Sequence, residues 1–304
     1  MRKLISLAGL VVTVAMVLTG YAQEANGAAS AATATPVGPH LVVMTFNARL
    51  ASARDGENVW SNRQALFLKT IKQNNPDLLG CQEILQIQAE CLQQNLADYA
   101  FLGTGRDDGR TRGEYSPILC RKSRFEVVDS GQFWLSPTPE RVGVKGWDAA
   151  SVRICTWAKL RLRESNTVIF YFNSHWDNIG QTARAESGKL IRRVAAEKAK
   201  GDAVIVTGDF NSFEDAPGYL NLVAPASSDG LTLMDAYRQV HPTISPDELT
   251  IHDFKGTQAG RRIDYILHSP HFIAIRAEID RTHAGNVYPS DHYPVVAELV
   301  MKGL

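Results

Sequence analysis

Short apolar runs of strand-forming residues recur along the chain, and several of them end in polar side chains. Residues 41–46 (LVVMTF) end in Asn47, and residues 77–81 (DLLGC) are followed closely by Glu83. Apolar side chains at helical spacing over residues 60–71 predict a helix between these two strands. Because loops at the carboxyl ends of such strands carry side chains into a shared crevice, we expect a functional site there.

The order of the other predicted elements indicates the fold class. Further strands are predicted at residues 118–121, 125–133, 154–162, 168–173, 203–207, 263–268 and 293–299, and a long helix at about residues 181–200. Because several strands follow one another without helices, packed mixed sheets with helices outside are favoured over a purely parallel sheet. We find no internal repeat, so the sequence predicts one layered α/β domain over residues 40–304.

The first residues have the layout of a secretory signal peptide. Arg2 and Lys3 precede an apolar run over residues 4–18, and small residues offer cleavage after Ala22 or Ala28. The alternative is an uncleaved anchor, because the run is only slightly shorter than the roughly 20 apolar residues that span a bilayer. Cleavage is favoured, so we expect a secreted or periplasmic protein without a stable membrane span. The predicted organisation is a signal peptide at residues 1–28, a flexible linker at residues 29–39 and the folded domain after it.

Charge and cysteine content argue against some functional classes. Lys plus Arg and Asp plus Glu both total 32, so no net positive charge steers the protein towards nucleic acid. The basic stretch at residues 106–112 is a candidate groove, although such runs are usually solvated loops. The four cysteines are too few and too scattered for a disulfide framework or a zinc site. Export permits a disulfide, and Cys120 with Cys155 is the first pair to test.

The motif at residues 207–212 (TGDFNS) holds a carboxylate and a carboxamide two residues apart after an apolar strand. Side chains at i and i+2 of an extended segment point to the same side. Asp209 can orient or deprotonate a water, and the amide of Asn211 can donate to a phosphoryl oxygen. A turn is an equally good interpretation of this motif taken alone, because Gly, Asp and Asn are turn formers.

The motif at residues 290–295 (SDHYPV) leads into the last predicted strand. A carboxylate near a histidine can hold the ring protonated and aim it at an anion, and Asp291 is also free to serve a metal. Asp264 interrupts an otherwise apolar strand, where an unpaired buried carboxylate is costly. We therefore expect Asp264 to contact His292.

The motif at residues 173–178 (NSHWDN) places His175 and Asp177 at the end of another apolar strand. His175 is a candidate contact to a phosphate oxygen, and it needs a carboxylate partner if it is to stay cationic. Glu114 is our candidate for that partner. A capping or turn role fits Asn178 better than a catalytic one.

The combination of residue types indicates the chemistry. Asn47 and Glu83 offer oxygen ligands that suit Mg²⁺, which keeps several waters and takes only one or two carboxylates from a protein. The sequence has no serine or cysteine nucleophile motif, no glycine-rich phosphate loop and no histidine-rich zinc motif. Oxygen ligands, two histidines and an Asp-Asn pair suit attack of water on phosphorus, with a metal neutralising the developing charge.

Together the motifs resemble the endonuclease/exonuclease/phosphatase superfamily, which has the deoxyribonuclease-I-like fold. TFNAR, CQE, GEYSPI, RICTWA, NSHWDN, TGDFNS, RIDYI and SDHYPV occur in the family's order and span the chain after His40. The resemblance implies a four-layer α/β/β/α sandwich of two mixed β-sheets flanked by helices. It also implies a phosphoesterase that depends on a divalent metal, Mg²⁺ or Mn²⁺.

The resemblance also assigns roles to individual positions. It implies metal-site roles for Asn47, Glu83 and Asp291. It implies catalytic roles for Asp209 as the base that activates water, Asn211 beside it, His292 oriented by Asp264, and His175 supported by Glu114. Candidate substrate contacts are Arg153, Trp176 and Asp177.

The substrate stays open at this point. Residues 131–148 and the loop before them resemble a subgroup of secreted bacterial members, and nothing in that likeness fixes a substrate. We expect a monomer that hydrolyses a phosphodiester or a phosphomonoester. The alternatives are a secreted nuclease acting on DNA or RNA, which the zero net charge does not support, and a non-catalytic binding or effector protein on the same scaffold. The completeness of the site disfavours the non-catalytic alternative.

Overall fold

The structure of the protein, a computed structural model, describes residues 38–225 and 230–302. The predicted signal peptide, and the predicted linker up to residue 37, lie outside the described residues. Within the two described ranges, no helix combines the length and the apolar character that a membrane crossing requires.

Two six-stranded β-sheets form the centre of the fold, and helices pack on their outer faces. The strands are β1 (His40–Asn47), β2 (Leu78–Gln82), β3 (Tyr99–Leu102), β4 (Ile118–Arg121), β5 (Phe125–Trp134), β6 (Ile154–Leu162), β7 (Val168–His175), β8 (Ala203–Asp209), β9 (Met234–Asp235), β10 (Asp264–His268), β11 (Phe272–Ile279) and β12 (Val295–Met301). The helices are α1 (Trp60–Asn74), α2 (Gln86–Asn95), α3 (Gln181–Ala199), α4 (Pro217–Val223) and α5 (Ala236–Val240), with a 3₁₀ turn at Gly56–Asn58.

The strand order makes both sheets mixed. The first sheet runs β11-β12-β1-β2-β4-β3 and the second runs β5-β6-β7-β8-β10-β9. β1 and β2 pair in parallel, as do β7 and β8, whereas the other pairs within each sheet are antiparallel. The predicted four-layer sandwich of two mixed sheets is therefore confirmed.

Apolar packing holds the layers together. A central core between the sheets joins Leu41 of β1 with Tyr171 of β7 and Ile205 of β8. On the outside, Phe67 packs α1 onto the first sheet and Ile191 packs α3 onto the second. These side chains lie on the apolar faces of their elements, so burial of those faces positions the sheets and helices.

A buried polar cluster also joins the two sheets, and we call Gln82, Asn173 and Thr207 the polar seam. Gln82 Nε2 donates to Asn173 Oδ1 at 2.7 Å, and Thr207 Oγ1 donates to the same oxygen at 3.0 Å. Asn173 Nδ2 donates to the carbonyl of Cys81 at 2.7 Å. A Cβ at Gly80 would lie 2.4 Å from both Asn173 Oδ1 and Thr207 Oγ1, so only glycine permits this approach of the sheets.

The four cysteines, all within the described residues, are free and buried. Cys120 and Cys155, the pair considered for a disulfide, are therefore not bonded to each other. Cys120 of β4 lies in the core between the sheets, whereas Cys155 of β6 faces the helices outside the second sheet. Their side chains thus belong to different layers, a fact that the sequence does not reveal.

Candidate active site

Strand ends from both sheets meet at one edge of the sandwich. Asn47 ends β1 and Glu83 follows β2, while His175 ends β7 and Asp209 ends β8. Asn47 Nδ2 donates to Glu83 Oε1 at 3.1 Å and to Asp209 Oδ2 at 2.9 Å. One amide thus links carboxylates carried by the two different sheets.

An oxygen-rich group of side chains surrounds Glu83. Its carboxylate, the carboxylate of Asp209 and a ring nitrogen of His175 lie within 4.8 Å of one another. Burial raises the pKa of Asp291, and the negative charge of Glu83 adds to this increase while the charge of His292 opposes it. Clustered buried carboxylates repel one another, and oxygen ligands suit hard cations such as Mg²⁺ and Mn²⁺. The side chains therefore fit the divalent metal implied by the sequence.

Asn47 lies in this group, but its side-chain oxygen, which was predicted as a metal ligand, does not face the carboxylates. Its Oδ1 accepts the backbone N–H of Arg49 at 2.9 Å, which leaves the amide nitrogen facing the carboxylates. The structure therefore places Asn47 at the predicted metal site as a link between carboxylates, with its oxygen engaged by the backbone.

Asp264 and His292 make the contact predicted from the sequence. His292 Nδ1 and Asp264 Oδ2 are 2.9 Å apart, and the opposite ring nitrogen Nε2 lies 3.9 Å from Asp209 Oδ2. Burial alone would lower the pKa of His292, but the charges of Asp264, Asp209 and Asp291 raise it well above its ordinary value. His292 is therefore a cation that directs Nε2 towards Asp209.

His175 is a neutral ring on the other side of Asp209. Asn211 Nδ2 donates to the carbonyl of Trp176 at 3.1 Å and to His175 Nε2 at 3.0 Å, so the ring proton lies on Nδ1. Burial, and then the positive charge of Arg153, lower the pKa of His175 to about 3. His175 therefore offers an N–H donor without a positive charge.

Glu114 lies beside His175 as predicted, but its closer partner is an arginine. Glu114 Oε1 is 2.7 Å from Arg106 Nη2, whereas Oε2 is 3.7 Å from His175 Nδ1. The second distance exceeds that of a hydrogen bond. The ion pair with Arg106 therefore engages the carboxylate that we expected to keep His175 cationic.

Asp209 is the carboxylate that all these groups face. Burial, and then the negative charge of Asp264, raise its pKa, while the two histidines act in the opposite direction. The backbone N–H of Asn211 donates to Asp209 Oδ1 at 2.9 Å and fixes the carboxylate. Asp209 is thus a held carboxylate with more affinity for a proton than an exposed aspartate has.

The prediction that Asp177 contacts substrate is wrong. Its side chain is 1% exposed. Its oxygens accept hydrogen bonds from the backbone of Ala150, Ser151, Ile179 and Gly180 and from Nε of Arg153. The backbone bonds lower the pKa of Asp177 despite its burial, and they leave no free side for a ligand. Asp177 organises the loop that carries Arg153.

The prediction that Trp176 contacts substrate is also wrong. Its side chain is fully buried and stacks on Phe210, with 4.3 Å between the ring centroids. Successive side chains of an extended segment point to opposite faces, so His175 faces the site and Trp176 faces the helices outside. Trp176 is a core residue.

Arg153 stays a candidate substrate contact. Its Nε lies 3.4 Å from Asp177 Oδ2 and its Nη2 donates to Asn178 Oδ1 at 3.1 Å. The residue is 6% exposed, so these two neighbours fix its direction.

Two arginines at the site were not predicted. Arg106 pairs with Glu114, and it lies in the basic stretch interpreted above as a solvated loop. Arg63 of α1 is 1% exposed and donates to backbone carbonyls at Ala48, Arg49, Asn58 and Pro289. The position of Arg63 three residues after Trp60 on the apolar stripe of α1 could have indicated its burial.

Comparisons with known proteins identify relatives that share this fold. A family model described as the Endonuclease/Exonuclease/phosphatase family matches residues 44–292. An endonuclease/exonuclease/phosphatase of Bacteroides vulgatus is 34% identical with a TM-score of 0.81, over 87% of this chain and 100% of that one. A mannosyl-6-phosphatase of Bacteroides thetaiotaomicron is 32% identical with a TM-score of 0.76, over 86% and 100%.

More distant relatives share the fold. The catalytic domain of human nocturnin, solved with a bound sulfate anion, is 20% identical with a TM-score of 0.71, over 88% of this chain and 97% of that one. Among curated proteins, nocturnin of Drosophila melanogaster is 21% identical over 79% of this chain. An uncharacterized protein of Acanthamoeba polyphaga mimivirus is 24% identical over 50% of it. The matches cover 42% and 59% of those two curated proteins, so the chain spans about half of their length.

Proposed function

Because the chain belongs to the endonuclease/exonuclease/phosphatase family, whose members are hydrolases acting on phosphoester bonds, we propose that it is a divalent-metal-dependent phosphoesterase in which water attacks phosphorus directly. In this proposal Asp209 is the base that activates the water. His292 is the cationic contact to the phosphoryl oxygens, and the metal lies near Glu83 and Asp291.

The observation that carries the proposal is the arrangement of nitrogen atoms around Asp209. Its Oδ2 lies 2.9 Å from Asn47 Nδ2, 3.4 Å from His175 Nε2 and 3.9 Å from His292 Nε2. Of these nitrogens, Asn47 Nδ2 from the first sheet and the protonated His292 Nε2 carry hydrogen that can bind an anion, whereas His175 Nε2 accepts the amide of Asn211. This supports a reaction in which a proton leaves water while negative charge grows on phosphoryl oxygens.

Each side chain has a defined task in such a reaction. Asp209 accepts the proton of the attacking water, and the N–H of Asn211 holds the carboxylate in position. His292 donates Nε2–H to a phosphoryl oxygen while Asp264 holds the other side of the ring. The metal, when bound, neutralises the negative charge that develops on the phosphoryl oxygens.

A sugar phosphate is the substrate class that we propose first. The support is the mannosyl-6-phosphatase that is 32% identical to this chain, over 86% of this chain and 100% of that one. The zero formal charge gives no field that would draw in a polyanion, so a nuclease is the second candidate. We also propose that the protein acts as a secreted or periplasmic monomer, and the apolar run after Lys3 supports the export.

Hydrolysis by the purified mature chain tests the proposal. Sugar phosphates, p-nitrophenyl phosphate and nucleic acids are supplied with Mg²⁺, Mn²⁺ or EDTA. We expect EDTA to abolish turnover and excess Mg²⁺ to restore it. Asp209→Asn should lower kcat by roughly 10²- to 10⁴-fold, whereas exposed Asp202→Asn should not change it. Full turnover in EDTA or in Asp209→Asn would contradict the mechanism.

A further inference from the structure

Three buried N–H groups beside the proposed site lack an acceptor among the described residues. They are Nε of Arg106, whose nearest carboxylate oxygen is Asp107 Oδ1 at 3.9 Å, Nη1 of Arg153 and Nδ1 of His175; none of them makes a hydrogen bond to another described residue. Arg153 and His175 are 6% and 5% exposed. A buried donor without an acceptor is costly to the folded state, and more so when it is charged. An anion bound beside these groups would supply the missing acceptors.

Arg106 and His175 both lie beside Glu114. Its two oxygens are 2.7 Å from Arg106 Nη2 and 3.7 Å from His175 Nδ1. The positive charge of Arg153 reaches both neighbours, since it adds to burial in lowering the pKa of Arg106 and of His175. Each guanidinium has one close carboxylate partner, Glu114 for Arg106 and Asp177 for Arg153, and each keeps one N–H that can still bind an acceptor from a ligand.

The loop around Asp177 fixes the orientation of the Arg153 side chain. Asp177 engages Nε and Asn178 engages Nη2, which leaves Nη1 as the group without a partner. Because Asp177 itself is held by four backbone N–H groups, the loop keeps its shape independently of the arginine.

The compact loop at residues 106–114 fixes the orientation of Arg106. Its backbone N–H donates to the carbonyl of Glu114 at 3.0 Å, and Trp134 Nε1 donates to the carbonyl of Arg106 at 2.7 Å. Gly113 has a φ of +80°, and a Cβ there would lie 2.6 Å from the carboxylate carbon of Asp107. The stretch at residues 106–112 is therefore shaped to present one arginine inward, although the sequence suggests a solvated loop.

We infer that Arg106 and Arg153 form an anion subsite that binds the free oxygens of a terminal phosphate, so that the enzyme prefers phosphomonoesters to phosphodiesters. A monoester has up to two negative charges and three free oxygens, whereas a diester has one charge and two. The extra charge and oxygen need donors beyond His292 and the metal, and guanidinium groups match phosphate oxygens well. This inference rests on the proposed function, because it concerns the substrate of the same site.

Paired substrates with one leaving group test the subsite. The rates for p-nitrophenyl phosphate and bis(p-nitrophenyl) phosphate are compared in the full mature chain and in Arg106→Met and Arg153→Met. We expect kcat/KM for the monoester to fall at least tenfold, because a charged hydrogen bond contributes roughly 1.5–3 kcal/mol. The diester should change less than about threefold. Arg112→Met, which removes an exposed arginine of the same loop, is the matched control.

Two further measurements separate binding from folding and from catalysis. Arg106→Lys keeps the charge and the ion pair with Glu114 but lacks Nε, so we expect an intermediate loss for the monoester. Calorimetric titration with inorganic phosphate should show at least tenfold weaker binding to Arg106→Met and Arg153→Met than to Arg112→Met. Thermal unfolding checks that each variant is folded.

The outcomes distinguish the subsite from the proposed function. Equal losses for both esters, or unchanged phosphate affinity in Arg106→Met and Arg153→Met, would overturn the subsite while leaving the phosphoesterase intact. A wild-type chain that hydrolyses neither ester nor any sugar phosphate or nucleic acid would overturn the proposed function. The phosphate titration would still decide whether the two arginines bind an anion.

Discussion

His175 and Trp176 are neighbours in the chain but face opposite sides of the second sheet. His175 lies against Asp209 at the site, whereas Trp176 stacks on Phe210 beneath the outer helices. Stacking of a buried aromatic pair contributes to stability in addition to burial of its apolar area. Changes at these adjacent positions should therefore affect different properties.

Trp176→Phe should lower stability without changing substrate affinity. The smaller ring leaves a cavity beside Phe210, which should lower the free energy of unfolding by about 1–3 kcal/mol. KM for a hydrolysed substrate should stay within about twofold, because the indole does not reach the site. Urea unfolding and steady-state kinetics give the two values, with partly exposed Trp147→Phe as the control. A large rise in KM at unchanged stability would instead show that Trp176 contacts the substrate.

The residue types of the site can be predicted from the sequence because catalysis restricts them. The orientations of their side chains are harder to predict. Asp264 could be matched to His292 because a carboxylate inside an apolar strand needs a partner. Asp177 could not be interpreted correctly, because its partners Ala150 and Ser151 lie 26 to 27 residues earlier in an irregular loop. No local pattern shows that those N–H groups converge on it.

At the scale of elements, α1 supports the site through one arginine. Arg63 Nη1 donates to Ala48 O at 2.6 Å and to Pro289 O at 2.9 Å, which connects the end of β1 with the loop before Asp291. Burial lowers the pKa of Arg63 to about 10, so the side chain remains charged at neutral pH. The guanidinium thus stabilises the relative position of two segments that carry proposed metal-site residues.

Arg63→Met should weaken metal binding and stability together. The methionine keeps the apolar part of the side chain but leaves several buried carbonyls without donors, each at about 1–3 kcal/mol. We expect the Mg²⁺ concentration for half-maximal turnover to rise about tenfold, with an unfolding midpoint several degrees lower. Lys69→Met, on the exposed side of α1, is the control. An unchanged Mg²⁺ requirement would show that Arg63 supports only the fold.

The elements missed from the sequence have weak patterns for physical reasons. α2 (Gln86–Asn95) is rich in glutamine and has little apolar surface, so its helical spacing is indistinct. β3 (Tyr99–Leu102) is a four-residue edge strand. β11 (Phe272–Ile279) contains a register shift between Ala274 and Arg276, which interrupts alternation. The buried strands were predicted because packing on both faces requires continuous apolar runs.

For the molecule as a whole, a buried ion-pair network should set the response to acid. Arg238 Nη2 lies 2.6 Å from Glu248 Oε2, and Arg262 Nη2 lies 2.7 Å from Asp235 Oδ2. Burial raises the pKa of Glu248, but the hydrogen bond from Arg238 and other contacts outweigh it and lower the pKa below 4.5. The ionised carboxylate therefore stabilises the folded state above pH 4.5, and this contribution is lost as the pH falls through the lowered pKa.

Glu248→Gln should reduce that acid response. At pH 7 the variant should lose about 1–3 kcal/mol, because the charged hydrogen bonds from Arg238 to this carboxylate are lost while Arg238 keeps Glu214 as a partner. Between pH 3 and 5 its unfolding midpoint should vary less with pH than that of the wild type. Scanning calorimetry across this range gives both values. Glu197→Gln removes an exposed pair with Arg193 and should match the wild type; an equally small effect of Glu248→Gln would contradict the role of the network.

Gly80→Ala should disturb the packing of the whole sandwich. The added methyl group would clash with Asn173 and Thr207 in the polar seam, so the sheets must separate or the seam must rearrange. We expect a loss of about 1–3 kcal/mol or more in the free energy of unfolding. Gly56→Ala has open space around its Cβ, and only its φ of +57° opposes the change. Similar losses at both positions would show that the close approach at Gly80 is unimportant.

The amide of Asn47 donates to one carboxylate from each sheet, so the catalytic rate should depend on correct alignment of the two sheets. Apolar packing is not directional, whereas the hydrogen bonds of Asn47 and of the polar seam form only when the two sheets are correctly aligned. A chain with both sheets formed but offset by one side chain would give a normal circular dichroism spectrum and hydrolyse nothing. Recovery of rate after denaturation should therefore lag behind recovery of secondary structure.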